Sequence, residues 1–170
     1  MTEVARKQRL QVVPASANDL EQLSHDRAAF ERRHGLTVLE GYTEFPDALH
    51  RAREMLEDGS VDPEWWTHLF IDESSRVIGL GGYAGAVNGA GVIEIGYGVA
   101  PEVRGQGYAT RCVKQLIGKA FSNPDVREII AHTLAVEDPS TRVLEKNGFS
   151  KVEELEDPQE GPIWRWSLTR

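Results

Sequence analysis

One cysteine, Cys112, is the whole thiol content of this 170-residue chain, so no intrachain disulfide can form and no thiol-rich metal cage can be assembled. Such thiol poverty fits a reducing compartment, and the cytoplasm is the expected location. Long apolar runs are missing as well: no tract approaches the roughly 20 residues needed to cross a bilayer. The N-terminal "MTEVARKQRLQVV" lacks the apolar stretch and small-residue cleavage site of a secretory leader. Positive charge is in deficit, with 19 Lys plus Arg against 27 Asp plus Glu and a net charge of −8. That balance argues against a nucleic acid or an anionic membrane as partner and suits a cationic or amine substrate. Nothing indicates a metal.

What is present is ordinary for a globular protein, 40% hydrophobic and 27% charged, and the length fits one domain over residues 1–170. Residues 8–13 read as a strand. Ser16 and Asp19 stand at capping-box spacing before Leu20, Leu23 and Phe30, which predicts a first helix. A second helix is expected where Phe45, Ala48, Leu49, Ala52, Met55 and Leu56 share one face ahead of Gly59. The runs "WWTHLFI", "VIGLGGYAG" and "GVIEIGYGVA" predict an antiparallel meander, with Asn88-Gly89 as a hairpin turn. An amphipathic helix from Gly105, a strand "REIIAHTL", a short helix opened by Asp138-Pro139 and two final strands complete the chain. The order β-α-α-β-β-β-α-β-α-β-β predicts a mixed α/β fold, one sheet with helices on it.

The stretch "APEVRGQGYATRCVKQLIGKAF" carries the most specific chemistry. Ala109, Cys112, Val113, Leu116, Ile117, Ala120 and Phe121 follow helical spacing, so one face is buried and the helix mouth is fixed. The first N–H groups there lack intrahelical partners and hold the positive end of the helix dipole. Gly105 and Gly107 let a ligand approach the backbone, Arg104 adds a charge and Thr110 a hydroxyl, so a pyrophosphate is the natural guest; by its residues alone the stretch is equally an ordinary glycine loop ahead of a helix. A second glycine run, Gly79, Gly81 and Gly82, imitates a dinucleotide fingerprint, yet no helix can follow it, and these glycines are expected as close contacts within a strand.

In "VIEIGYGV", Ile93, Ile95, Tyr97 and Val99 take one face and leave Glu94 beside Gly96 and Gly98 on the other. Glu94 is then either a solvated strand charge or a base with room beside it for a reactant. Cys112 is expected in the core. His132 reads as a satisfied core or edge histidine rather than a base. Trp65, Trp66, Trp164 and Trp166 are expected to pack the sheet.

The strand, the turn with Arg104, Gly107 and Ala109, the helix, the next strand and "STRVLEKNGF" together resemble the GCN5-related N-acetyltransferase (GNAT) family, in the style of its ribosomal-protein and small-molecule members. The resemblance covers roughly residues 66–168 and implies a central mixed sheet of about seven strands flanked by about four helices. It implies acetyl-CoA as co-substrate, its pyrophosphate held along Arg104, Gly105, Gln106, Gly107, Tyr108, Ala109 and Thr110, its pantetheine arm by Val99, and Ser140 near it. It implies direct transfer to a primary amine of a small molecule or a protein N-terminus, with Glu94 deprotonating the amine directly or through water. A coenzyme A-binding sensor without turnover is the alternative, and homodimerisation stays open. By the same resemblance, helices near His25, His34 and Tyr42 cap the acceptor cleft. Two positions depart from the pattern. Leu144 stands where the family's acid tyrosine is usual, so either the thiolate leaves unprotonated, helped by dipoles, or Tyr97, Tyr108 or a water supplies the proton, and Glu137 replaces an asparagine near the pantetheine.

Overall fold

A computed structural model describes residues 9–170; residues 1–8, with the basic N-terminal segment and the start of the expected first strand, lie outside the described residues. In chain order the elements are β1 (Gln11–Pro14), α1 (Ala17–His25), α2 (Arg27–His34), β2 (Thr37–Val38), α3 (Ala48–Glu57), β3 (Thr67–Ile71), β4 (Arg76–Tyr83) and β5 (Val92–Val99). They continue with α4 (Tyr108–Ser122), β6 (Glu128–Leu134), α5 (Pro139–Lys146), β7 (Ser150–Asp157) and β8 (Gly161–Thr169). All the strands join one sheet in the order β1-β3-β4-β5-β6-β8-β7, with β2 beside the start of β4. Two pairings are parallel, β2 with β4 and β5 with β6.

The sheet is the expected mixed α/β core with one more strand and one more helix than the sequence predicts. The extra helix arises at Asp26, whose backbone leaves helical geometry (φ −149°, ψ 70°) while its side chain accepts a hydrogen bond from the Ala29 N–H. The expected first helix is thereby stopped and restarted, although Leu20, Leu23 and Phe30 are all buried as its periodicity requires. The added strand, β2, has only two residues, too few for any periodicity to register. Phe45 is a correction: α3 opens only at Ala48, behind Pro46, and Phe45 stands 67% exposed in the preceding loop. Asn88-Gly89 does turn the chain, but inside an eight-residue connection. The Gly91 N–H closes a turn onto the Asn88 carbonyl, and the Asn88 side chain accepts from Ala90 and Val92.

Two apolar layers fill the faces. On one, Cys112, Val113, Leu116 and Ala120 of α4 and Leu144 of α5 pack against Phe70, Ile78, Ile93, Ile95, Ile129 and Trp166. Full burial of a side chain such as Leu116 contributes about 1.5–3 kcal/mol. On the other, α1, α2 and α3 set Leu20, Leu23, Phe30 and Leu49 on Leu69, Ile71 and Val77. At the far border β7 pairs, among the described residues, with β8 alone, slips register between Lys151 and Glu153, and exposes most of its residues.

The feature that positions the site is a wedge in the middle of the sheet. Pairing between β5 and β6 covers Val92 to Glu94 against Glu128 to Ile130 and then ceases. Both strands run on, β5 held by β4 as far as Val99 and β6 held by β8 as far as Leu134. Held outward on each side and no longer joined to each other, they leave backbone groups facing a gap.

Candidate functional site

At the mouth of α4, Gly105 and Gly107 both adopt left-handed conformations (φ 74° and 82°), and a Cβ on either would meet nothing within 4 Å. The backbone here is exposed and bare, a conformation glycine adopts at least cost. Gly107 is the N-cap and no side chain caps the helix, so the first-turn N–H groups of Tyr108, Ala109 and Thr110 face outward with the dipole behind them. Gln106 folds its amide back onto the Glu102 carbonyl (3.1 Å), leaving its backbone at the turn. This geometry fits a diphosphate.

Arg104 is engaged elsewhere than the sequence suggests. Its Nη2 lies 2.9 Å from Oε1 of Glu44, in the loop before α3, and its Nε donates to the Val99 carbonyl at 3.3 Å. The guanidinium thus ties the turn both to the end of β5 and to a loop on the other side of the cleft. Val99 closes the β4–β5 ladder opposite Gly79, with the wedge on its free side.

Across the wedge, the Tyr97 hydroxyl donates to the Ser140 carbonyl at 2.7 Å, fastening β5 to the first turn of α5. Burial, with the nearby Asp138 carboxylate, holds the Tyr97 phenol above its ordinary range. Tyr108 turns toward the Glu73–Arg111 ion pair, with the Arg111 guanidinium 5.6 Å from its ring centre. Leu144 is fully buried in the core. The Asp138 side chain caps α5 through the Thr141 N–H, and Pro139 follows it.

On the sheet face opposite α4, Glu94 is followed by Gly96 and Gly98, where a Cβ would meet nothing within 4 Å. That is an open floor. Glu94 is not a free strand charge: its Oε1 lies 2.7 Å from Nδ1 of His132, with side-chain exposures of 39% and 29%. By its sequence position alone His132 is a core or edge histidine. The β5–β6 register explains the meeting, since Glu94 pairs with Ile130 and His132 is the next residue on that face, just where the strands part. Only the parallel register, which no short motif encodes, could have revealed it.

Other expected residues serve the fold. Gly79, Gly81 and Gly82 are close-contact positions, where a Cβ would come within 2.1 Å of the Gly98 carbonyl, 2.3 Å of Phe70 and 2.1 Å of the Trp66 carbonyl. Cys112 is fully buried and its thiol is pushed up to about 12 by that burial. His34 and Arg33 clasp Asp19 between α1 and α2, His25 meets Glu21 on the surface of α1, and Tyr42 is buried beneath Arg27. None of these three aromatic residues touches Glu94 or His132. Trp65 packs on Tyr83, Trp66 donates to the Ala52 carbonyl, and Trp164 and Trp166 pack edge to face. Among the described residues no group of three or more metal-ligating side chains converges, and no helix is long and apolar enough to cross a membrane.

A family model described as an acetyltransferase (GNAT) domain matches residues 9–150. No curated protein matches the chain. Among solved structures, the ribosomal-protein-S5-alanine acetyltransferase of Vibrio fischeri superposes with a TM-score of 0.66 at 17% identity, covering 95% of this chain and 93% of its own. A spermidine/spermine N-acetyltransferase of Vibrio cholerae gives 0.68 at 15% identity, covering 95% and 94%. The acetyltransferase AAC(6')-Ib, in complex with ribostamycin and coenzyme A, gives 0.68 at 19% identity, covering 96% and 94%. At these identities the likeness is one of fold.

Proposed function

This chain belongs to the GNAT acetyltransferase family, whose model spans residues 9–150, and on that premise we propose that it transfers the acetyl group of acetyl-CoA directly to a primary amine, on a small molecule or a protein N-terminus. The observation that carries the reading is the alignment of a bare anion-binding turn, an opened strand edge and an acidic group on one path. The turn at Gly105–Thr110 binds the diphosphate through backbone N–H groups. The free edge of β5 at Val99 takes the pantetheine amides as an added strand would. Glu94 then stands where the path reaches the open floor of Gly96 and Gly98, on which the amine lies.

Acetyl-CoA supplies the activated acyl group as a thioester. The protein supplies position and proton handling. Holding amine and thioester in line is worth about 7–11 kcal/mol of the barrier, and removing the ammonium proton adds about 10²–10⁴-fold. The net charge of −8 favours a cationic acceptor. Ser140 takes its place beside the pantetheine through the Tyr97 link that sets α5 against the wedge.

Calorimetry with acetyl-CoA and a thiol-release assay with spermidine, ribostamycin and an alanine-initiated peptide test the reading. Binding followed by release with one of these amines is the expected result. Binding without release from any of a broad amine panel would favour a coenzyme A-binding sensor, and absence of binding would overturn both.

A further inference from the structure

We propose that His132 is the group that takes the proton from the acceptor amine, at Nε2, and that Glu94 acts through it as a positioning residue. This rests on the acetyltransferase reading above and names the proton acceptor within it.

The carboxylate of Glu94 can only accept a hydrogen bond, so the 2.7 Å contact from Nδ1 places the ring proton on Nδ1. Nε2 then carries the lone pair, and among the described residues no hydrogen bond is made to it. Glu94 sits at the last parallel rung of β5 and β6, opposite Ile130, and His132 just beyond it, where the strands part and the thioester would lie. A carboxylate behind an imidazole whose other nitrogen faces a reactant is the arrangement that makes histidine an effective base in serine hydrolases, because the carboxylate fixes the tautomer and stabilises the imidazolium.

The charged groups around the ring are few. Glu94 faces it from β5. Arg165 stands directly across on β8, with its Nη1 3.7 Å from Glu153 of β7, and Asp157 at the end of β7 lies within electrostatic reach of the ring. Glu94 is the carboxylate in contact with the ring.

The proton and electron balance is simple. The ammonium gives one proton to His132 Nε2, and the nitrogen lone pair forms the N–C bond at the thioester carbonyl. The C–S bond breaks with its electron pair on sulfur. The second nitrogen proton ends on the thiolate, and His132 returns its proton to solvent, so the products are the amide, free coenzyme A and one proton.

The test uses the full chain with acetyl-CoA and whichever of spermidine, ribostamycin or an alanine-initiated peptide is acetylated. His132→Gln and Glu94→Gln should each lower kcat by about 10²–10⁴-fold, the usual range for general acid–base catalysis, with acetyl-CoA affinity unchanged within twofold. Both should regain rate at high pH, where the amine is already neutral. Glu94→Asp should fall between Glu94→Gln and the unaltered protein. Nitrogen NMR of the imidazoles, assigned by difference from His132→Gln, should show His132 protonated on Nδ1 at neutral pH, and Glu94→Gln should abolish that preference. Full activity in folded His132→Gln alongside a dead Glu94→Gln would make Glu94 the direct base and overturn this proposal alone. An Nε2-protonated His132 would overturn it even if the variants fail to fold. Acetyl-CoA binding without acetylation of any amine would overturn it together with the reading it rests on.

Discussion

The hydroxyl of Tyr97 and the carbonyl of Ser140, 2.7 Å apart, join two elements that the sheet itself leaves unjoined. Beyond Glu94 the two central strands no longer bond to each other, and this contact holds β5 to the first turn of α5 instead. Its proton is already committed, and burial holds it there.

Tyr97→Phe should therefore act first on stability. Losing one buried hydrogen bond costs about 1 kcal/mol, which is about 2–4 °C in Tm for a domain of this size. Because Ser140 holds the proton, turnover should fall less than about tenfold, below the span of a general acid. Thermal melts and initial rates on the same preparation check both. A hundredfold loss of rate at unchanged Tm would instead make Tyr97 the acid that Leu144 does not supply.

Gly107→Ala should loosen acetyl-CoA by about tenfold or more, because the backbone must leave its φ of 82° or hold an alanine in left-handed geometry at about 1–2 kcal/mol. Calorimetry gives the affinity, and circular dichroism shows whether α4 persists. An unchanged Kd in a folded variant would move the diphosphate away from this turn.

Arg104 and Glu44 should act in opposition. Their pair is exposed, 46% and 65% by side chain, so breaking it costs at most about 1 kcal/mol. A charge-assisted bond to phosphate contributes about 1.5–3 kcal/mol, and the phosphate wins. Arg104→Ala should weaken coenzyme A more than pantetheine lacking phosphate, and Glu44→Gln should tighten coenzyme A up to about fivefold. Equal effects on both ligands would leave Arg104 as a loop tether only.

His68 predicts a pH dependence of stability. It is fully buried, with Nδ1 on the Trp66 carbonyl and Nε2 3.0 Å from the Lys119 ammonium. Desolvation, aided by that ammonium, lowers it from 6.5 to about 4. Between those values the unfolded chain binds a proton that the folded chain refuses, so stability is full above pH 6.5 and declines toward pH 4. The loss is on the order of 3 kcal/mol at 1.36 kcal/mol per unit. Urea titrations across this range check it, and His68→Gln should flatten the curve.

The legible parts of this protein were those written locally. The Ser16–Asp19 capping box, the Asp138 cap ahead of Pro139, the two-faced pattern of Ile93 to Val99 and the bare turn before α4 each depend on residues a few positions apart. What stayed hidden depends on partners far along the chain. Asp26 breaks a helix whose apolar spacing continues past it, and its own capping bond decides the matter. Phe45 fits a helical face but lies before Pro46, and the helix begins two residues after that proline. Arg104 finds Glu44, sixty positions away. His132 was set aside because an isolated histidine says little, and it gains meaning only when a register brings Glu94 beside it.

The outer strand β7 has a consequence for how copies of this chain meet one another. Among the described residues it pairs on one side only, and a lone strand border offers its free N–H and C=O groups as a template for any extended chain. Within eight residues it carries Glu153, Glu154, Glu156 and Asp157, and its register slips around Val152. A second β7 arriving alongside would bring four more carboxylates against these and find no flat row to match. These carboxylates and the broken register oppose growth of the sheet from copy to copy where a lone strand border would otherwise invite it.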